Sequence, residues 1–189
     1  NQAKRYINIA LMDIALATEY KLPWMERRAV IRTHAPYTTG TVAVTRGSTT
    51  VTGTSTLWAT ANSYSENNAR TTGKMTLGGG NDVYKITTVT NDTSITLTDR
   101  YVADSDLAAG SSYTYFEDEY ALATDFLRPL DFQMFSDVLN IPLISRLEFR
   151  RMYPRPNISG RPKVATILDI GFGATSTPIR RVQFYPYPD

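Results

Sequence analysis

The chain has 189 residues, of which 42% are hydrophobic and 20% charged, a composition typical of a folded globular protein. With one histidine and no cysteine, it excludes disulfides and thiolate metal sites, and it leaves little material for zinc. The formal net charge of +2 argues neither for nor against a nucleic-acid partner. No apolar run approaches the roughly 20 residues of a membrane helix, and no signal-peptide pattern is present, so no membrane association is expected.

The first predicted element is a helix over residues 2–20, QAKRYINIALMDIALATEY. One set of its apolar side chains shares a helical face: Ala3, Ile7, Ala10, Leu11 and Ile14. A second set lies on the other faces: Tyr6, Ile9, Met12 and Leu16. A helix that is apolar all round is usually buried on more than one side. We therefore expect the second set to form a subunit interface.

A β-hairpin follows, because Thr41–Thr45 and Thr49–Thr52 alternate polar and apolar residues around a turn at Arg46-Gly47-Ser48. Four further strands are predicted, joined by turns rich in Gly, Asn and Asp: Lys74–Leu77, Val83–Val89, Ser94–Thr98 and Ser112–Phe116. Short strands with tight turns indicate a small antiparallel β-barrel or β-sandwich.

Beyond this region the pattern changes. Helices are predicted at Phe132–Leu139 and Ile144–Tyr153, and strands at Val164–Ile170 and Arg181–Tyr185. Leu, Ile, Arg and Pro replace the Thr, Ser, Gly and Asn of the middle of the chain.

Charge divides at the same places. Residues 36–117 hold five Lys/Arg against seven Asp/Glu, whereas the remainder holds fifteen against eleven. The predicted fold class is therefore α+β, with a small helical or mixed body formed by residues 1–35 plus 118–189. This body carries an inserted antiparallel β domain over residues 36–117.

One local run of charge stands out after the second predicted helix begins. Six basic residues occur there against Glu148 alone: Arg146, Arg150, Arg151, Arg155, Arg161 and Lys163. They form either a surface for DNA phosphates or for an acidic protein partner, or a solvated face, as charge runs usually do.

No catalytic arrangement is found in the sequence. His34 is the only histidine and lies at the predicted domain junction, where a hydrogen bond is the expected role. A nucleophile elbow of the G-x-S-x-G type is absent. We expect no enzyme activity, no catalytic residue, no metal and no cofactor.

Several motifs occur in an order that matches a known family. They are AKRYIN (3–8), LPW (22–24), GTVAVT (40–45), GSTTVTG (47–53), Trp58, YKI (84–86), DTSITL (92–97), YALATDF (120–126), GRP (160–162) and FYPYPD (184–189). Together they resemble the head-to-tail adaptor (neck or connector) proteins of tailed bacteriophages that carry a β insertion in a helical body.

The resemblance implies a homo-oligomeric ring, dodecameric in form, with its β insertion projecting sideways. The ring would join the portal protein to tail or neck proteins, with packaged DNA in its channel. It would lie in the neck of the virion after assembly in the host cytoplasm. Family members usually continue past the final Pro-Asp with another strand, so a shortened chain is expected here.

A second function stays open. A carbohydrate-binding or host-adhesion β module of a phage tail would need exposed aromatic residues beside polar side chains. Four residues of the middle region are candidates for that role: Trp58, Tyr64, Tyr84 and Tyr115.

Overall fold

The computed structural model describes residues 2–16, 26–126, 128–134, 140–155, 157–172 and 178–189. The chain divides into two compact units between Val30 and Ile31. In the first unit, the described regular structure is helix α1, Gln2–Leu16, which is rich in good helix formers such as Ala, Leu, Met, Lys and Arg. This confirms the predicted helix as far as Leu16, and residues 17–20 lie outside the described residues. Of the described helices, none is long and apolar enough to cross a membrane.

The second unit contains a seven-stranded antiparallel sheet in the order β6-β1-β2-β5-β4-β3-β7. Its strands are β1 Thr41–Val44, β2 Thr50–Thr54, β3 Lys74–Leu77, β4 Val83–Asn91, β5 Ser94–Leu97, β6 Leu107–Ser111 and β7 Tyr113–Phe116. The predicted hairpin is β1 and β2, joined at Gly47, whose φ of +78° is one that glycine adopts without strain. Along β2, Val51 and Gly53 are buried, whereas Thr50, Thr52 and Thr54 are exposed, as the alternation predicts.

Trp58 is the centre of the core beneath this sheet and is fully buried. Its Nε1 donates to the hydroxyl of Tyr113 over 3.0 Å, and that hydroxyl donates to the carbonyl of Thr39 over 2.7 Å. A side chain at Gly53 would meet the indole, because a Cβ there would lie 2.8 Å from the Trp58 ring. The side chain of Thr56 would lie closer still, so the hairpin uses glycine at this point to make room for Thr56 and Trp58.

The sheet curls because its two edge strands are neighbours in the chain. Ser112 alone separates β6 from β7, although these strands lie at opposite edges of the sheet. Tyr37, ahead of β1, exchanges two backbone hydrogen bonds of 2.8 and 2.9 Å with Tyr115 of β7. The result is a half-barrel whose far edge is tied to the segment that enters it.

A second antiparallel sheet has the order β8-β10-β9, with β8 Glu119–Ala121, β9 Val164–Phe172 and β10 Pro178–Tyr185. Helix α2, Arg146–Met152, precedes β9 and is capped by Ser145, whose side chain accepts from the backbone of Glu148. Phe149 is the buried residue of α2 and contacts the rings of Tyr153 and Tyr185 edge-on. Tyr153, which caps the end of the helix, stacks on Tyr185 with ring centroids 3.9 Å apart, so aromatic side chains attach the helix to this sheet.

The structure is mostly β with two described helices and a curled antiparallel sheet, and it fits the α+β class loosely. The predicted helix Phe132–Leu139 is wrong over residues 132–134, which are not helical, while residues 135–139 lie outside the described part. Strands β6 and β8 were not expected, because LAAGS and EYA have weak β-propensity and form strands through pairing with distant partners. The inserted domain over residues 36–117 stays a prediction.

A buried ionic cluster connects the two sheets. Lys74 of β3 places its Nζ 2.7 Å from Asp118 Oδ1 and 2.7 Å from Glu119 Oε1. Its Nζ also donates to Asp118 Oδ2 over 2.8 Å, and Gln183 of β10 donates to the same oxygen over 2.7 Å. Asp118 Oδ1 accepts no aligned hydrogen bond and is balanced by the ion pair alone.

The pKa values in this cluster follow from burial and pairing. Burial raises the pKa of Asp118 above its usual value, against the opposing effect of Lys74. For Lys74, burial alone would lower the pKa, but Asp118 and Glu119 together raise it. The lysine therefore stays charged, and its charge is required by two buried carboxyl groups.

Replacing Lys74 with methionine should lower the free energy of unfolding by about 3–5 kcal/mol, because both carboxyl groups would stay buried without their cation. The matched control is Lys85→Met, since Lys85 is 61% exposed and lies 3.8 Å from Glu119; it should cost less than about 1 kcal/mol. Urea unfolding of both variants measures the difference. Equal losses would show that the buried cluster does not stabilise the junction of the sheets.

Candidate functional site

A cleft of about 320 Å³ lies beside the edge strand β7. Residues 32–37, which lead into the half-barrel, line it together with side chains from the loop at residues 62–70. Tyr115 and Glu117, in and just after β7, complete the lining. The volume is at the lower end of the range for small-molecule sites, about 300–1,000 Å³.

The loop at residues 62–70 is held by its first residue. Asn62 Oδ1 accepts from the backbone N–H of Tyr64 over 2.9 Å and of Glu66 over 3.2 Å. Ser65 has a φ of +60° and donates its N–H to the Asn62 carbonyl over 3.0 Å. This asparagine-centred turn holds the backbone of the loop, and with it the positions of the loop residues that line the cleft.

One carboxylate oxygen collects three nitrogen atoms from residues that line the cleft. Glu66 Oε2 lies 2.6 Å from Arg32 Nη2, 3.1 Å from His34 Nε2 and 3.3 Å from Arg70 Nη1. The three residues come from two segments that are more than 25 residues apart in sequence. The carboxylate of Glu66 therefore fixes the entering segment against the loop.

A second carboxylate, Glu117, is almost fully buried behind the first. Arg70 Nε donates to its Oε1 over 2.7 Å, and the hydroxyl of Tyr115 makes a short hydrogen bond to the same oxygen. Burial, together with the charge of Glu117, raises the pKa of Tyr115 well above its usual value. Arg70 thus bridges the two carboxylates, and the charges of the cleft are balanced.

The backbone N–H of His34 donates to the hydroxyl of Tyr120 over 3.2 Å, while a hydrogen bond of its side chain at a domain junction stays a prediction. Burial and the nearby charge of Arg70 lower the pKa of its imidazole, against the effects of Glu117 and Glu66. The side chain is 17% exposed. It is therefore a mostly buried group that resists protonation.

Tyr64 is the exposed aromatic residue of the cleft, with 65% of its surface accessible. The guanidinium of Arg32 lies over its ring, with Cζ 3.8 Å from the ring centroid. The other aromatic residues proposed for a carbohydrate surface do not fit that role, because Trp58, Tyr84 and Tyr115 are buried at 0%, 6% and 2% exposure. They belong to the core, as large aromatic side chains usually do.

The six residues of the predicted basic surface are all exposed: Arg146, Arg150, Arg151, Arg155, Arg161 and Lys163. Arg161 Nε donates to the sulfur of Met134 over 3.4 Å. Within the described part of the chain, the other five form no ion pair or side-chain hydrogen bond. Opposite the buried Phe149, helical spacing places Arg151 and the exposed Leu147 on the outer side of α2.

The predicted subunit interface lies on α1. Tyr6, Ile9 and Met12 are all exposed, and the side chain of Leu16 lies outside the described residues. Ile7, Leu11 and Ile14 of the first apolar set are exposed too. The described apolar side chains of both sets are therefore exposed.

Sequence reasoning missed the cleft. No sequence motif includes Arg32, Glu66 or Arg70. The last two are four residues apart, but they lie in a loop and not on a helix. The asparagine-centred turn at Asn62 was the available signal, since such residues shape loops through their own side chains. Among the described residues, no cluster of His, Cys, Asp and Glu could hold a metal ion.

The stability of the protein should depend on His34 as the pH falls. Its pKa is lower in the folded chain than the usual 6.5, so the unfolded chain binds the proton at a higher pH. The free energy of unfolding should therefore decrease as the pH falls from about 6.5 toward the folded pKa. The variant His34→Gln lacks this dependence, while other groups titrate alike in both proteins. The measurement is urea unfolding between pH 7.5 and about 5; parallel curves would contradict the assignment.

The basic surface should bind an acidic protein partner more strongly than bare DNA, since the exposed Leu147 beside Arg151 suits a protein contact. Reversing charge in Arg150→Glu/Arg151→Glu should abolish binding to an acidic protein probe in a sedimentation assay. The exposed Arg100→Glu, outside the segment, is the control. If the surface bound DNA phosphates instead, log affinity for DNA would fall less steeply with log salt concentration in the double variant. The slope would be smaller by about 0.9 for each lost phosphate contact.

Three features of the structure bear on function: the cleft, the basic surface and α1. Compared with known proteins, the chain matches no family model, no curated protein and no solved structure. These three features and the motifs of the sequence are therefore what indicates the function of the chain.

Proposed function

We propose that the chain is a structural virion protein, an oligomeric adaptor ring that joins the portal of a phage capsid to the tail. Packaged DNA passes through its channel, and the ring lies in the neck of the virion. Its partners are the portal protein, tail or neck proteins, and other copies of the chain in a dodecameric ring. It has no catalytic role in this proposal.

The observation that carries the proposal is the exposure of α1. Tyr6, Ile7 and Met12 have 69%, 58% and 62% of their surfaces accessible. Successive helical residues are about 100° apart, so these three side chains point in three different directions. An isolated helix of fifteen residues is marginal in water. Such a helix gains stability when other chains cover it, and a ring supplies a neighbour on each side of every subunit.

The motif order supports the phage assignment, and the free basic side chains of α2 support a charged partner. A ring in the neck must contact the portal on one side and must tolerate DNA in its channel. Exposed arginines suit both neighbours, because they pair with carboxylates and phosphates through two parallel hydrogen bonds. On the half-barrel, the exposed threonines of β2 supply an uncharged strip on the same chain.

Charge on α1 should prevent assembly. Ile9→Asp and Met12→Asp would each place a carboxylate in the interface, where it would lose its water. The affinity between subunits should therefore fall by at least about tenfold. The control Asn8→Asp adds the same charge at a polar, exposed position of the same helix. Native mass spectrometry over a concentration series measures the subunit number, and negative-stain images report ring formation.

The proposal fails if the parent protein stays monomeric at all concentrations in the presence of portal rings from its own phage. The assignment of the subunit interface to α1 is wrong if Ile9→Asp and Asn8→Asp assemble equally well. Circular dichroism of each variant separates loss of assembly from loss of folding.

A further inference from the structure

The cleft beside β7 carries its own balance of charge. Arg32 and Arg70 are paired with Glu66 and Glu117 at distances of 2.6 to 3.3 Å. The imidazole of His34 is neutral at pH 7, since its pKa lies below its usual value. A charged ligand would have to displace one of these partners, whereas an uncharged polar ligand would not. The electrostatics therefore favour an uncharged ligand.

Tyr64 supplies an apolar platform at the mouth of the cleft. The guanidinium of Arg32 covers one face of the ring, yet 65% of the residue stays accessible. The accessible surface therefore lies on the remaining face and edge. The hydrogen bond from its N–H to Asn62 Oδ1 fixes the backbone of this residue. A flat apolar group could stack here with little loss of side-chain freedom, because a tyrosine has only two rotatable angles.

Residues whose side chains can both donate and accept line the same cleft as Tyr64. They are Asn67, Thr33 and Ser63. Within the described residues, none of these three side chains has a hydrogen-bond partner. An amide offers a donor and an acceptor side by side, and a hydroxyl can serve as either. Such groups match adjacent hydroxyls on a ligand.

We propose that this cleft is a binding site for an uncharged saccharide of one or two rings. The apolar C–H face of a sugar ring stacks on Tyr64, and its hydroxyls bond to Asn67 and the neighbouring hydroxyl side chains. The volume of about 320 Å³ limits the ligand to this size. None of its residues belongs to α1 or α2, the helices that would form the ring contacts, so its test does not depend on the proposed adaptor function.

The experiment titrates the whole chain with uncharged mono- and disaccharides of glucose, galactose, mannose and N-acetylglucosamine. Saturation-transfer NMR detects binding, and calorimetry gives Kd. Glucuronate and inorganic phosphate serve as charged probes at the same concentrations. We expect at least one neutral sugar to bind with a Kd near about 1 mM, which corresponds to about −4 kcal/mol.

Three variants locate the site. Tyr64→Ala should weaken binding about tenfold, the effect of losing about 1.4 kcal/mol. Tyr64→Phe keeps the ring and should bind within about threefold of the parent. Val102→Ala, at a side chain that is 70% exposed and outside the cleft, is the control and should bind as the parent does.

Three results would overturn the proposal. The first is that no neutral sugar shows saturable binding. The second is that a sugar binds equally to the parent and to Tyr64→Ala, which would place the site elsewhere. The third is tighter binding of phosphate or glucuronate than of any neutral sugar, which would make the cleft an anion site in which Glu66 is displaced. An unchanged urea unfolding curve for Tyr64→Ala confirms that the variant is folded.

Discussion

The acidic triplet Glu117-Asp118-Glu119 is the constraint on which the second unit depends. It spans the two-residue connection between β7 and β8 and the first residue of β8, where the chain leaves one sheet for the other, and all three residues are buried. Two cations from the half-barrel region pair with it, Arg70 with Glu117 and Lys74 with the other two. Buried carboxylates are tolerated only with such partners. The same three residues therefore fix the sheets to each other and define one side of the cleft.

The alternation of polar and apolar residues predicted strands of the half-barrel well, and for a local reason. Alternation in Thr50–Thr54 is a property of neighbouring residues, and burial follows it directly. The strands Lys74–Leu77 and Ser94–Leu97 were predicted to within one residue for the same reason. In contrast, β6 and β8 form through pairing with β1 and β10, and their own residues give no such signal. The curl of the sheet follows from that pairing too.

The candidate site could not be predicted from the sequence, because its residues meet only in the fold. A run such as Glu-Asp-Glu is usually a solvated segment, and here it is buried because Arg70 and Lys74 arrive from more than 40 residues earlier. Arg32 and Glu66 are likewise 34 residues apart. The basic surface and α1 are sequence-local, so their residues could be named in advance. What they contact is a property of partners, which one sequence does not encode.

The convergence on a single oxygen of Glu66 means that the residues around it do not act independently. Arg32, His34 and Arg70 share this acceptor, so the loss of one donor changes the geometry and the charge seen by the other two. Interaction energies between such neighbours commonly reach about 0.5–3 kcal/mol. Substitutions in this group are therefore epistatic, and the effect of a change at one position is defined only together with the residues present at the other three.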